Sequence, residues 1–128
     1  MIKYMYIGLG GAAGAVLRYL ATGLAYRIFN EGFPWGTLIV NLIGSLIIGL
    51  LWGLFENITV SQNIKLLILV GLLGAFTTFS TFSLENFNLL REGQHLFFAL
   101  NIIVSVICGL LLVFAGYTGG KIIIDFLK

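Results

Sequence analysis

Between Leu66 and Ser83 one apolar stretch changes character halfway along, and no ordinary membrane helix accommodates the change. Leu66 to Leu73 is almost wholly aliphatic, as lipid-facing helix should be. The next ten residues are Gly74-Ala75-Phe76-Thr77-Thr78-Phe79-Ser80-Thr81-Phe82-Ser83, in which five hydroxyls and three phenylalanines crowd into the last eight positions. Threonine is stiff at χ1, and Ser and Thr hydroxyls compete for backbone partners, so this run predicts a break in the helix. Irregular backbone at membrane depth persists only where protein buries it or a polar cavity solvates it. The run therefore predicts a small polar site, edged by aromatic rings, in mid-membrane.

Composition makes lipid the solvent. Of 128 residues, 59% are apolar and 9% charged, against roughly 25% charged in soluble domains. The mean hydropathy is +1.07. At about 20 residues per crossing, the chain has room for four helices and little else. The expectation is an all-α membrane protein, one four-helix transmembrane domain over residues 1–128, embedded in a lipid bilayer. A formal net charge of +2 gives no reason to expect nucleic acid. The single cysteine, Cys108, lies in an apolar run and reads as a small packing residue. Lys3 ahead of apolar residues resembles a signal peptide, but the stretch runs on to Tyr26, contains Arg18 and lacks a convincing cleavage site; a retained first span is expected.

The spans are expected at Tyr4–Tyr26, Gly36–Phe55, Ile64–Leu90 and Leu96–Thr118. Arg27, Asn30, Glu31, Gly32 and Pro34 form a strong stop after the first, and Glu56, Asn57, Ser61 and Asn63 separate the second from the third. The third loop is Arg91 to His95, with His95 solvated, and Gly119-Gly120-Lys121 is expected to end the fourth span, with an amphiphilic tail after it. The third segment is overlong for one crossing, as a break near Gly74–Ser83 requires. Orientation follows the Lys/Arg count on the two sides. Lys3, Lys65, Lys121 and Lys128 share one side; Arg27, Arg91 and the nearby Arg18 mark the other. Four against three is almost no bias. A weakly specified single orientation and insertion both ways up, with an antiparallel homodimer, both stay open.

Gly10-xxx-Gly14 and Gly49-xxx-Gly53 are close-packing motifs. Gly8-Leu9-Gly10 is not a dinucleotide fingerprint, because Ala13 fills the last glycine position and no strand–helix unit surrounds it. Thr37, Asn41 and Ser45 recur every four residues on the second span, and Asn101, Ser105 and Gly109 do so on the fourth. Interhelical hydrogen bonding accounts for any one of them, at about 0.6 kcal/mol on average. Together with the Phe/Thr/Ser run, the two faces predict a polar pathway. Asn41 is its costliest member, since an amide in hydrocarbon needs partners for two donors and an acceptor. Arg18 and Glu85 are the in-span charges; Arg18 either lines a vestibule or snorkels to the interface, and the role of Glu85 is open. Aromatic edges are electropositive, so Phe79 and Phe82 turned inward attract an anion, although their spacing by itself favours routine core packing. No ring of carboxylates, the device of many cation pathways, lines the spans. A small unnamed anion is the better chemical fit.

Three blocks occur in order: Gly11-Ala12-Ala13-Gly14-Ala15-Val16-Leu17-Arg18-Tyr19; Gly36-Thr37-Leu38-Ile39-Val40-Asn41 with Gly44 and Gly49; and Gly71-Leu72-Leu73 running into the Gly74–Ser83 segment with Glu85. Together they strongly resemble the Fluc (CrcB-type) fluoride channels of bacterial membranes, across essentially the whole chain. The resemblance implies an antiparallel dual-topology homodimer with two fluoride pores, in the cytoplasmic (inner) membrane of a bacterium, exporting toxic fluoride passively. It implies Phe79 and Phe82 as fluoride-facing edges and Asn41 as a pore donor, with Thr81, Ser80 and Ser105 along the polar track. It implies a structural sodium ion (Na+) at the dimer centre, on main-chain oxygens around Gly74 and Thr77, and Arg18 as the family's first-helix arginine. The main alternative is a dual-topology small multidrug-type transporter, which needs a membrane carboxylate, typically in the first helix, where this chain has Arg18 and no acid. A non-transporting assembly subunit would carry no ion at all. An enzyme is least expected, for want of a catalytic triad, metal-ligand cluster or phosphate motif.

Overall fold

The computed structural model describes residues 1–29 and 32–127. Asn30 and Glu31 of the expected stop signal, and Lys128 of the charge count, lie outside them. The described residues form helices only: α1 Ile2–Ile28, α2 Trp35–Phe55, α3 Gln62–Lys65, a π-helical stretch Leu66–Leu73, α4 Gly74–Phe76, α5 Phe79–Arg91 and α6 His95–Leu127. Four units are long and apolar enough to cross a membrane: Ile2–Ile28, Trp35–Phe55, Gln62–Arg91 and His95–Leu127. The third is interrupted, as the overlong segment predicts.

Local chemistry sets the ends. Pro34 caps α2, where its missing N–H costs no helical bond. Ser61 caps α3, its hydroxyl accepting the Ile64 N–H at 3.4 Å. α5 closes in a glycine turn at Gly93, φ +73°, with Gln94 N–H on the Leu89 carbonyl at 2.8 Å and Gly93 N–H on that of Leu90 at 3.1 Å. That pair of bonds is the Schellman pattern, which needs the left-handed conformation glycine adopts freely. It folds α6 back against α5.

Two close helix pairs build the core. α6 packs chiefly on α2, and the π-helical stretch on α1. α2 and α6 run parallel at a fixed offset: Gly49 lies on the Val113 backbone, Gly53 on that of Tyr117, and Gly109 faces Ser45 Oγ. From the other side, Gly116 and Gly120 meet the backbone between Leu46 and Leu54. Small residues at these crossings let the backbones approach, and van der Waals contact then replaces the hydrophobic drive that lipid cannot supply. The Gly49-xxx-Gly53 motif is thus a packing seam, and so is Gly10-xxx-Gly14, whose glycines lie against the Leu67 and Leu72 backbone.

Three expectations are corrected. The fourth helix does not end at Thr118 but continues through Gly119-Gly120-Lys121 to Leu127, because Gly120 is a contact with α2 rather than a terminator. Leu66–Leu73 is not a plain lipid-facing helix: it is π-helical, with Gly71 and Leu73 buried. Its Leu67 and Leu72 carbonyls rest on Gly10 and Gly14, so the packing against α1 sets its form. His95 is exposed as expected, but it opens α6 instead of standing in the loop.

Aromatic rings mark both ends of the α2–α6 pair. Trp35 stacks on Phe29 at 5.0 Å and meets Phe33 at 4.8 Å, and Phe33 meets Phe97 edge-on at 5.7 Å. At the opposite end Glu56 accepts from Trp52 Nε1 at 3.1 Å and the Tyr117 hydroxyl at 2.8 Å. Trp35, Trp52 and Tyr117 among them are the amphipathic rings that belong at a membrane interface.

Candidate functional site

The third span breaks at Thr77 and Thr78, both extended, at φ −84°, ψ 157° and φ −151°, ψ 123°. Thr77 closes the helix before the break: its N–H and its hydroxyl both reach the Leu73 carbonyl, at 3.0 and 2.9 Å. Thr78 opens the helix after it. Its Oγ1 accepts the Thr81 N–H at 3.3 Å and donates to Thr81 Oγ1 at 3.0 Å, the hydroxyl N-cap that threonine supplies readily. Ser83 Oγ donates to the Phe79 carbonyl at 2.9 Å. The competition between hydroxyls and backbone that predicts the break is visible as these bonds.

Asn41 of α2 holds the break. Its Oδ1 accepts the Thr78 N–H at 2.8 Å and its Nδ2 donates to the Thr78 carbonyl at 3.0 Å. In an unbroken helix, Thr78 N–H would reach the Gly74 carbonyl and Thr81 N–H the Thr77 carbonyl. Both donors are instead taken by side chains, so the helical partners of the Gly74 and Thr77 oxygens are diverted. Opposite Thr77, α2 carries Gly44, and a Cβ there would collide with Thr77 Cγ2.

A cavity of about 300 Å³ lies at this junction, its lining including Asn41, Ser45, Gly74, Thr77, Thr78 and Phe79. The structure thus brings Asn41, Gly74, Thr77 and Phe79 together at one site. Ser80 and Thr81 lie beside it, exposed on the first turn of α5. Phe79 is 78% exposed, while Phe82 is half-buried; the two rings are 5.8 Å apart and inclined at 36°. Ser105 stands apart from the cavity, half-buried on α6, its hydroxyl on Asn101 Oδ1 at 3.4 Å. Arg18 also stands apart, half-buried on α1 one turn beyond Gly14.

Glu85 has the partners its sequence position did not reveal. Its Oε1 accepts from Thr37 Oγ1 at 2.7 Å and from the Tyr26 hydroxyl at 3.4 Å, linking α5 to α2 and α1. Tyr26 and Glu85 also line a second cavity of about 190 Å³ with Asn88, Glu92 and Gln94. The period-four face of α2 was the available signal: Thr37, one turn before Asn41, needed a polar neighbour, and Glu85 is that neighbour. The face therefore serves two polar places, with Thr37 at the carboxylate and Asn41 and Ser45 at the break.

Residues 5–117 match the family described as CrcB-like protein, Camphor Resistance (CrcB). The chain is similar to proteins named fluoride-specific ion channel FluC. The one from Maridesulfovibrio salexigens is 46% identical over 98% of this chain and 100% of its own length. That of Magnetococcus marinus is 48% identical over 95% of this chain and 100% of its own, and that of Phocaeicola vulgatus is 45% identical over 91% and 96%. With a match this long and relatives this similar, the chain belongs to the CrcB-like protein family.

Proposed function

We propose that the protein is a fluoride-selective channel that lets fluoride leave the cell passively and so lowers its toxicity. The observation that carries this reading is the break at Thr77–Thr78, clamped by Asn41 beside Phe79 at a cavity that the Asn41, Ser45, Thr77 and Thr78 side chains help to line. Full-length relatives named fluoride-specific ion channels support it. Fluoride is strongly hydrated, and its passage requires donors that replace the lost water. The Asn41 amide uses one N–H on Thr78 and has a second to offer. Hydroxyls of Ser80, Thr81 and Ser105 continue the donor set, and the edges of Phe79 and Phe82 add a weak positive lining.

The functional unit in this reading is an antiparallel homodimer with two pores. A Phe79 ring 78% exposed on a single chain is poorly placed to hold a dehydrated anion alone, and a second copy supplies the missing wall. The weak lysine and arginine bias agrees with insertion in both orientations. A structural sodium ion at the dimer centre fits the donor chemistry, because the diverted carbonyls of Gly74 and Thr77 are hard oxygen ligands. Those two residues of each subunit would hold it, and its charge would neutralise facing carbonyl dipoles. Arg18 is placed in a vestibule or at the interface. The location is the inner membrane of a bacterium, with the whole chain as one transmembrane domain.

A small multidrug-type transporter is not favoured: its required carboxylate is absent from α1, and Glu85 on α5 is bound to Thr37. The deciding experiment is ion efflux from liposomes containing only the purified protein. Fluoride should flow without a proton or sodium gradient and chloride should not. Efflux that needs either gradient, or equal chloride flux, rejects the proposal.

A further inference from the structure

Among the described residues, three buried side-chain atoms have no hydrogen-bond partner: Glu85 Oε2, Asn86 Oδ1 and Asn101 Nδ2. Asn86 is 5% exposed and Asn101 1%. A buried polar atom left bare is strongly unfavourable, and native proteins leave few of them. Here two independent helix registers bring all three to the same level.

The first register is that of α2 and α6. Gly49 pairs with Val113, Gly53 with Tyr117 and Ser45 with Gly109, a constant offset along parallel helices. Carried back two turns, it sets Thr37 level with Asn101, and Thr37 is the residue bonded to Glu85 at 2.7 Å. The second register is the α5–α6 hairpin, which turns at Gly93. Asn86 precedes that glycine by about as many residues as Asn101 follows it, so at ~1.5 Å rise per residue both lie roughly 11 Å from the turn. α5 packs on α6 and α2, so its buried face looks toward Asn101 and Thr37.

The chemistry of the three atoms selects their ligand. Glu85 Oε2, as a carboxylate oxygen, and Asn86 Oδ1 are acceptors, while Asn101 Nδ2 is a donor. An anion would satisfy Asn101 and be repelled by the other two. A cation would satisfy the two oxygens and leave the N–H bare. Water alone offers two donors together with an acceptor, and buried waters typically make about three hydrogen bonds to otherwise unpartnered groups.

We propose that one buried water molecule binds at the α2–α5–α6 junction, donating to Glu85 Oε2 and Asn86 Oδ1 and accepting from Asn101 Nδ2. It ties α5, which carries Phe79 and Phe82, to α6, and it completes the surroundings of Glu85. The site is separate from the cavity at the break and does not depend on which ion the protein carries.

Proton-detected solid-state NMR of the wild-type protein in lipid bilayers, labelled with 15N-asparagine, tests it. The Asn101 side-chain amide should receive magnetisation from a long-lived water, whether or not fluoride is present. No water contact at Asn101, or a contact that fluoride or sodium abolishes, overturns the proposal. A double-mutant cycle gives a second reading through thermal midpoints. Asn86→Leu and Asn101→Leu should each lower the midpoint, and the double variant should fall no further than the worse single one, because either change removes the shared water. Losses that simply add mean that no ligand is shared, and they overturn it too. If the leucine variants fail to assemble, the wild-type spectrum decides.

Discussion

Asn41 grips Thr78 by both of its backbone groups, at 2.8 Å through the N–H and 3.0 Å through the carbonyl. An amide is the one side chain that offers an acceptor and a donor side by side, so it can stand in for the helical partners that a chain break removes. Asn41→Leu keeps comparable bulk and strips both partners. Each bare backbone group costs about 1–3 kcal/mol when buried, so the thermal midpoint should drop clearly. Fluoride efflux from liposomes should fall roughly tenfold or more, since about 1.4 kcal/mol added to a barrier is a factor of ten. Asn41→Asp retains the acceptor for Thr78 N–H but sets a second carboxylate oxygen against the Thr78 carbonyl, so it should be no more stable than the leucine variant. An Asn41→Leu protein as stable as the wild type would show that the clamp does not hold the break.

Gly44 and Thr77 make a second joint at the same place. The Thr77 methyl occupies the space a Gly44 side chain would need, so Gly44→Ala must push the break away from α2. Overpacking of this kind typically costs about 1–3 kcal/mol, and here it displaces Thr77 from the cavity. Efflux should be reduced severely in Gly44→Ala. Thr77→Ser removes the obstructing methyl and keeps the hydroxyl that bonds the Leu73 carbonyl; combined with Gly44→Ala it should recover part of the lost flux. Failure of the pair to improve on Gly44→Ala alone would place the damage elsewhere.

The break was legible in the sequence because its cause is local: Thr77, Thr78, Ser80 and Thr81 carry the hydroxyls that compete with the backbone, and they sit beside one another. Asn41 was legible for a related reason, since an amide at membrane depth has to be partnered. What escaped was set by distant contacts. Leu66–Leu73 has nothing in its composition that marks a π-helix, which follows from how Leu67 and Leu72 meet Gly10 and Gly14. Gly119-Gly120 looks the same whether glycine ends a helix or admits a neighbour, and only the position of Leu50 opposite Gly120 distinguishes the two. The tie between Thr37 and Glu85 joins different spans and carries no sequence spacing of its own.

Sodium should stabilise the assembly through the Gly74 and Thr77 carbonyls, whose helical donors are taken by Asn41 and by Thr78 Oγ1. A ligand that binds only the folded state stabilises it by an amount that grows with concentration, about 2.7 kcal/mol at a hundredfold excess over its Kd. The thermal midpoint of the detergent-solubilised protein should therefore rise with sodium chloride and stay flat with a bulky organic cation at equal ionic strength. The fluoride reversal potential should not move with the sodium gradient if the proposed ion is structural rather than transported. Equal stabilisation by both cations would reduce the effect to screening and remove the support for a sodium site.

Phe79 and Phe82 are not equivalent, and the difference makes the aromatic-edge reading testable. Phe79 lies 78% exposed at the rim of the cavity, while Phe82 is half-buried one turn further along α5, its ring 5.8 Å from the first. Isoleucine retains much of the bulk and hydrophobicity of phenylalanine but has no electropositive ring edge. If the edges hold the dehydrated anion, Phe79→Ile and Phe82→Ile should each cut fluoride efflux severely while size-exclusion chromatography shows an intact assembly. Stability should separate the two. Phe79→Ile changes a surface position of the single chain and should leave monomer packing nearly untouched, whereas Phe82→Ile disturbs a half-packed ring and should lower the thermal midpoint. Leu100→Ile, at an exposed position on α6 away from the break, serves as the control and should change neither quantity. A correctly assembled double variant, Phe79→Ile with Phe82→Ile, that conducts fluoride at the wild-type rate would remove the rings from the mechanism and leave Asn41 and the hydroxyls as the only groups replacing fluoride's water.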